Sequence, residues 1–132
     1  PALRPSAYRS LSDLDGNGLP TVAFFRDDGV VADAGYLDDP ANHYIGFRVD
    51  GEEAGDSARS IFVGYNGWEA GLVVALPPPA AGHAWYLAGD THPWLEAEGN
   101  FFAPGTEPRV DAPDYLLGAR SLVVLVERPG GA

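Results

Sequence analysis

Short apolar runs separated by glycine, proline and acidic residues recur along the whole chain. They predict strands over 21–25, 44–49, 60–65, 72–76, 85–88 and 121–126, with weaker ones around Val30 and Phe101. Within 45–50 the apolar side chains alternate, which assigns Ile45, Phe47 and Val49 to a core face and Arg48 and Asp50 to a solvated one. Residues 122–126 are apolar at every position, the pattern of a strand covered on both faces, so a second layer is required there. Asn66-Gly67 follows the run 61–65, and because this dipeptide readily takes positive φ it predicts a tight hairpin to 72–76. Pro77, Pro78 and Pro79 cannot donate to a ladder and end that strand. The fold these signals predict is all-β, an antiparallel β-sandwich of about eight strands. The one helical candidate is the lead-in over 1–11.

Composition narrows the function classes. A chain of 132 residues with 17 Gly and 12 Pro suits one turn-rich domain. It starts at Pro1 and contains no Met, so it reads as an internal or trimmed segment. No apolar run reaches the roughly 18 residues of a membrane helix, and no membrane partner is expected. The absence of Cys excludes a disulfide framework, a thiol nucleophile and a thiolate zinc site, and leaves the compartment open. Nineteen acidic residues against eight Arg give a formal charge of -11. That field repels phosphate backbones, so nucleic acid is not expected as a partner, while a neutral sugar is indifferent to it.

Three kinds of residue could carry chemistry. The run Asp13-Leu14-Asp15-Gly16-Asn17-Gly18 resembles the opening of a calcium loop, but its twelfth position is Phe24 where a bidentate carboxylate is needed. A turn is the better reading, and neither a metal nor another cofactor is expected. The acidic pairs Asp27/Asp28, Asp38/Asp39 and Glu52/Glu53 lie beside turn residues. Neighbours on a strand point to opposite faces, which does not suit a glycosidase pair whose carboxyls face one bond about 5–9.5 Å apart. His43, His83 and His92 are isolated and lack metal spacing. Among the tryptophans, Trp68 and Trp94 follow turns and are the candidates for stacking on a sugar, whereas Trp85 lies within a strand.

The segments 44–51, 55–57 and 61–68, followed in order by 76–79, Trp85-Tyr86, Asp90-Thr91, 100–107 and 118–122, together resemble the C-terminal domain of bacterial isoamylases. Residues 1–5 resemble the close of the last helix of the catalytic barrel, and 24–29 the segment entering the terminal sandwich. Where relatives often have a Trp-Tyr pair, this chain has Phe24-Phe25.

The resemblance implies a parent in the α-amylase superfamily that hydrolyses α-1,6 branch points of glycogen or starch with retention. Its nucleophile and acid would come from barrel strand ends that this sequence does not include, so no catalytic residue is assigned here. It implies that residues 1–18 are a lead-in from the barrel and 19–132 the C-terminal sandwich. The expected partner is the catalytic barrel of the same polypeptide, contacted near Leu3 and Tyr8, with α-glucan as a second. The competing reading is an autonomous carbohydrate-binding module using Trp68 or Trp94; a third is a calcium-dependent module built on 13–18.

Overall fold

A computed structural model describes residues 11–130. Leu3, Tyr8 and nearly all of the helical candidate at 1–11 lie outside the described residues. The strands are β1 (Val22–Phe25), β2 (Tyr44–Asp50), β3 (Ser60–Asn66), β4 (Leu72–Ala75), β5 (His83–Asp90), β6 (Arg109–Val110), β7 (Asp114–Leu117) and β8 (Ser121–Pro129). One sheet has the order β1-β2-β3-β8-β5-β6 and a second, small sheet pairs β4 with β7. All the pairings are antiparallel. The sandwich expected from the spacing of the runs is therefore present, and the weak signals at Val30 and Phe101 correspond to isolated bridges, Phe25 to Val31 and Gly89 to Phe101.

The hairpin expected at Asn66-Gly67 is not formed. β3 lies between β2 and β8 in the large sheet, and β4 belongs to the other sheet, so the connection crosses the sandwich. Neither Asn66 nor Gly67 takes a positive φ. Asn66 is fully buried and clamps the crossing: its Nδ2 donates to the carbonyls of Ala70 and Gly118, both at 3.0 Å, and its Oδ1 accepts from Trp68 N at 2.9 Å. A side chain that satisfies three backbone groups at a crossover competes successfully with the local turn preference.

The faces of β2 do not divide into a core and a solvated one as expected: Val49 is buried in an apolar cluster that Phe47 joins, but the opposite face is covered too. Arg48 and Asp50 share the inner face with Tyr44, against which the small sheet packs; Ile45, Phe47 and Val49 form the outer one. Asp50 is fully buried and Arg48 lies over the Phe25 ring, 5.4 Å from its centroid. Alternation separates side chains into two sets without saying which set is covered. What fills the inside is the row of rings beside them. Tyr44 and Phe62 lie over Gly46, where a Cβ would stand 2.6 Å from the Tyr44 hydroxyl and 2.8 Å from Phe62 Cζ. The core continues through Phe25, Trp85, Val123 and Leu125 of the large sheet to Val74 and Leu117 of the small one.

Two short helices were not anticipated. α1 (Ala34–Asp38) starts at Asp33, whose carboxylate accepts from Tyr36 N at 2.8 Å. A 3-10 turn at Pro93–Glu98 follows His92 and ends at Gly99 in the left-handed region. β6 and β7 were missed as well. Each is short and bounded by Pro or Gly, so it offers too few residues for a period to show.

Candidate functional site

The acidic turns are occupied structurally. Asp13 accepts from the backbone N–H groups of Gly16 and Gly18, both at 2.8 Å, as a turn of this composition would. Asn17 Nδ2 then ties this loop to Asp50 and Glu52 at 3.0 and 3.1 Å. Asp28 pairs with Arg26, and the Val30 amide together with that guanidinium holds its carboxyl below the usual range. Glu53 accepts from the Thr21 hydroxyl at 2.8 Å, Glu52 pairs with Arg59, and Asp39 accepts from Ala41 N. Of the paired acids Asp27 lines a hollow, described below.

The three tryptophans have distinct environments. Trp85 is buried, its indole N–H donating to the Pro77 carbonyl at 2.7 Å. Trp94 is 48% exposed, but its indole N–H donates to the buried Asp90 at 3.2 Å and its ring lies against His92 with centroids 3.8 Å apart. Asp90 also accepts from the Tyr115 hydroxyl; burial, reinforced by that carboxylate, pushes the Tyr115 phenol above its usual range. This corner is a closed polar knot. Trp68 is 43% exposed and its ring is inclined at 62° to that of His43, with centroids 4.2 Å apart.

Around Trp68 the missed helix matters. α1 brings Tyr36 beside His43 and Asn42, and the Tyr36 hydroxyl donates to the Tyr44 carbonyl at 2.7 Å. Burial raises the Tyr36 phenol as well. Two hollows result. One, of about 180 Å³, is lined by Asp27, Tyr36, Asn42, His43 and Trp68; the other, of about 430 Å³, lies among Tyr36, Leu37, His43, Ile45 and Tyr65. Sequence reasoning singled out Trp68 but not Tyr36 or Asn42, and it read Asp27 only as a turn carboxylate. The one available signal was Asp33 as a helix start ahead of Pro40.

A second feature is the outer face of the large sheet. Its cross-strand rows run Phe24, Phe47, Val63, Val124 and Ile45, Tyr65, Leu122. The loop after β2 covers one end, where Ala54 and Ala58 pack on Val49, Ile61 and Val126. Beyond that loop Phe24, Phe47, Leu122 and Val124 are only half-buried, and Tyr65 and Phe101 are 47% and 55% exposed. Phe101 sits directly on Gly89, where a Cβ would stand 2.1 Å from its ring. The second layer required by the apolar run 122–126 is thus complete on one face of β8 and partial on the other.

Comparison with known proteins agrees with this architecture. The family model "Isoamylase, C-terminal" matches residues 21–126. An isoamylase of Flavobacterium sp is 39% identical over 130 residues, and one of Pseudomonas amyloderamosa is 35% identical over 130 residues. Each alignment covers 97% of this chain, which spans only 16–17% of those relatives' length. The chain therefore belongs to the isoamylase C-terminal domain family.

Proposed function

We propose that this domain is the terminal sandwich of an isoamylase-type debranching enzyme that hydrolyses α-1,6 branch points of glycogen or starch, and that it packs on and stabilises the catalytic barrel of the same polypeptide. Residues 1–18 lead in from the barrel, with Leu3 and Tyr8 beside the contact, and 19–132 form the sandwich. The observation that supports the packing is the half-covered outer face, where Phe24, Phe47, Leu122 and Val124 meet solvent with Tyr65 and Phe101 at its margins. A contiguous apolar surface of this kind is the usual mark of a docking site. Within one chain such contacts cover about 600–1,500 Å². At about 25 cal/mol per Å² of apolar area, several kcal/mol of docking stability follows before ordering and polar desolvation are subtracted.

Supplying the catalytic part of the same polypeptide in trans should raise the melting temperature of this chain. Tyr65→Asp with Phe101→Asp, both about half exposed, should abolish the rise, and so should Leu3→Asp with Tyr8→Asp. Equal stabilisation of both double variants rejects this placement of the contact. Reducing-end release from glycogen should require the whole parent and be absent from this chain alone.

A second reading, contact of the domain with α-glucan, is supported by the exposure of Trp68 and Trp94.

A further inference from the structure

We propose that the cleft between α1 and Trp68 is a binding site for glucosyl units of an α-1,4-linked glucan, with Trp68 as the stacking platform and Asp27 and Asn42 as hydroxyl-binding groups. The proposal deepens the second reading above; because Tyr65 borders both the larger hollow and the proposed docking face, it is tested on this chain alone.

Trp68 and Trp94 are similarly exposed but differ in what they have left to offer. Trp94 has its indole N–H committed to Asp90 and part of its ring surface to His92. Trp68 is fixed through its backbone instead: its N donates to Asn66 Oδ1 at 2.9 Å and its carbonyl accepts from Arg120 N at 3.0 Å. Its ring is inclined at 62° to that of His43, is 43% exposed and borders the smaller hollow, so part of its surface is open to a ligand. An aromatic face with a few convergent polar groups is the composition of a small-ligand site.

The opposite wall supplies those groups. Asp27 and Asn42 line the smaller hollow together with Trp68. Asn42 Nδ2 donates to the Tyr36 carbonyl at 3.0 Å, which fixes the amide and leaves its oxygen as an acceptor. Tyr36, Asn42 and His43 also border the larger hollow, so a chain lying across the two would place one unit on Trp68 and the next toward Tyr65. The walls are tied to each other, since Gly67 N donates to the His43 carbonyl at 2.7 Å and the Tyr36 hydroxyl reaches the Tyr44 carbonyl. Little ordering is needed when a ligand enters. The Asp27 carboxylate and the chain's net charge of -11 disfavour phosphates, and a sugar hydroxyl is the neutral donor that a carboxylate and an amide oxygen can both accept from. A quaternary ammonium ion is the competing chemistry, because aromatic rings beside a carboxylate also attract a cation.

The test is titration of the ¹⁵N-labelled chain with maltohexaose, followed at the indole N–H resonances of its three tryptophans. Single stacked rings support only about millimolar affinity. The expected result is a saturable shift of the Trp68 indole and of the Asn42 and His43 amides, with the Trp85 and Trp94 indoles unmoved. Trp68→Ala should weaken binding at least about tenfold and Trp94→Ala should leave it unchanged; the shift map on the unaltered chain decides the matter even if a variant misfolds. No shift at saturating maltohexaose, a shift confined to Trp94, or a stronger response to choline than to maltohexaose overturns the proposal. A chain that ignores maltohexaose yet is stabilised by the catalytic part in trans loses this site and keeps the packing function.

Discussion

Glu127 on β8 accepts from the Ser60 hydroxyl on β3 at 2.6 Å, with neither residue exposed to solvent. The same carboxylate takes the Ala80 amide at 2.6 Å and pairs with Arg59 at 3.2 Å, so it joins the end of the large sheet to the chain leaving the triple proline. Removing one partner of a buried, hydrogen-bonded charge costs about 3–5 kcal/mol because the others are left unpaired. Urea unfolding of Glu127→Ala should show a loss of that size, and Glu127→Gln a smaller one. A loss under about 1 kcal/mol in the alanine variant would mean that water replaces the carboxylate at this end of the sandwich.

The buried crossover at Asn66 predicts an order among variants. Asn66→Asp keeps the acceptor for Trp68 N but sets a carboxylate against the carbonyls of Ala70 and Gly118, where Nδ2 now donates. It should destabilise by more than Asn66→Ala, which leaves buried backbone groups unpaired at about 1–3 kcal/mol for each one that water cannot reach. Thermal unfolding compares the two directly, and an aspartate variant as stable as wild type would contradict the clamp.

Gly89 and Phe101 make a separate, local prediction. A Cβ at position 89 would collide with the Phe101 ring, so Gly89→Ala should unseat the ring and change the outer face while leaving the inner core intact. The Phe101 aromatic proton signals should move markedly in the variant while those of the buried Phe62 stay in place. Unchanged Phe101 signals would show that the ring does not rest on Gly89.

Glu107 connects the fold to pH. Burial works to raise its carboxyl, but its own amide, Arg128 and the Gly105 amide outweigh that and hold it below the ordinary range. A folded value below the unfolded one, about 4.3, contributes stability that is present above that pH and is lost as pH falls through the lower folded value. Glu107→Gln should therefore cost up to about 1 kcal/mol at pH 7, as solvent screens the pair, and converge on wild type once the native carboxyl is protonated. A gap that stays constant down to that acid range would contradict the ionic origin.

Much of the strand layout was legible because short apolar runs set among turn residues leave few alternatives, whether alternating as at 44–49 or continuous as at 122–126. The side of β2 that faces inward was not legible. Alternation treats Phe47 and Arg48 as two sets, and the choice between them was made by the Tyr44 and Phe62 rings lying over Gly46. Asn66-Gly67 misled for a related reason, because the dipeptide that favours a hairpin also serves a crossover when the Asn side chain finds buried carbonyls on another strand. At the candidate site Trp68 could be picked out, since exposed aromatics after turns are uncommon enough to notice. Its companions depended on α1, whose five residues are too few to display a helical period.

Packing of the outer sheet face on the catalytic part is the central claim, and hydroxyl-radical footprinting of this chain alone and within the full-length parent tests it most directly. Phe24, Phe47, Tyr65 and Phe101 should label readily in the isolated chain and be strongly protected in the parent, while Trp68 labels equally in both. Equal labelling of those four residues in the two forms would contradict the account and place the contact on another surface.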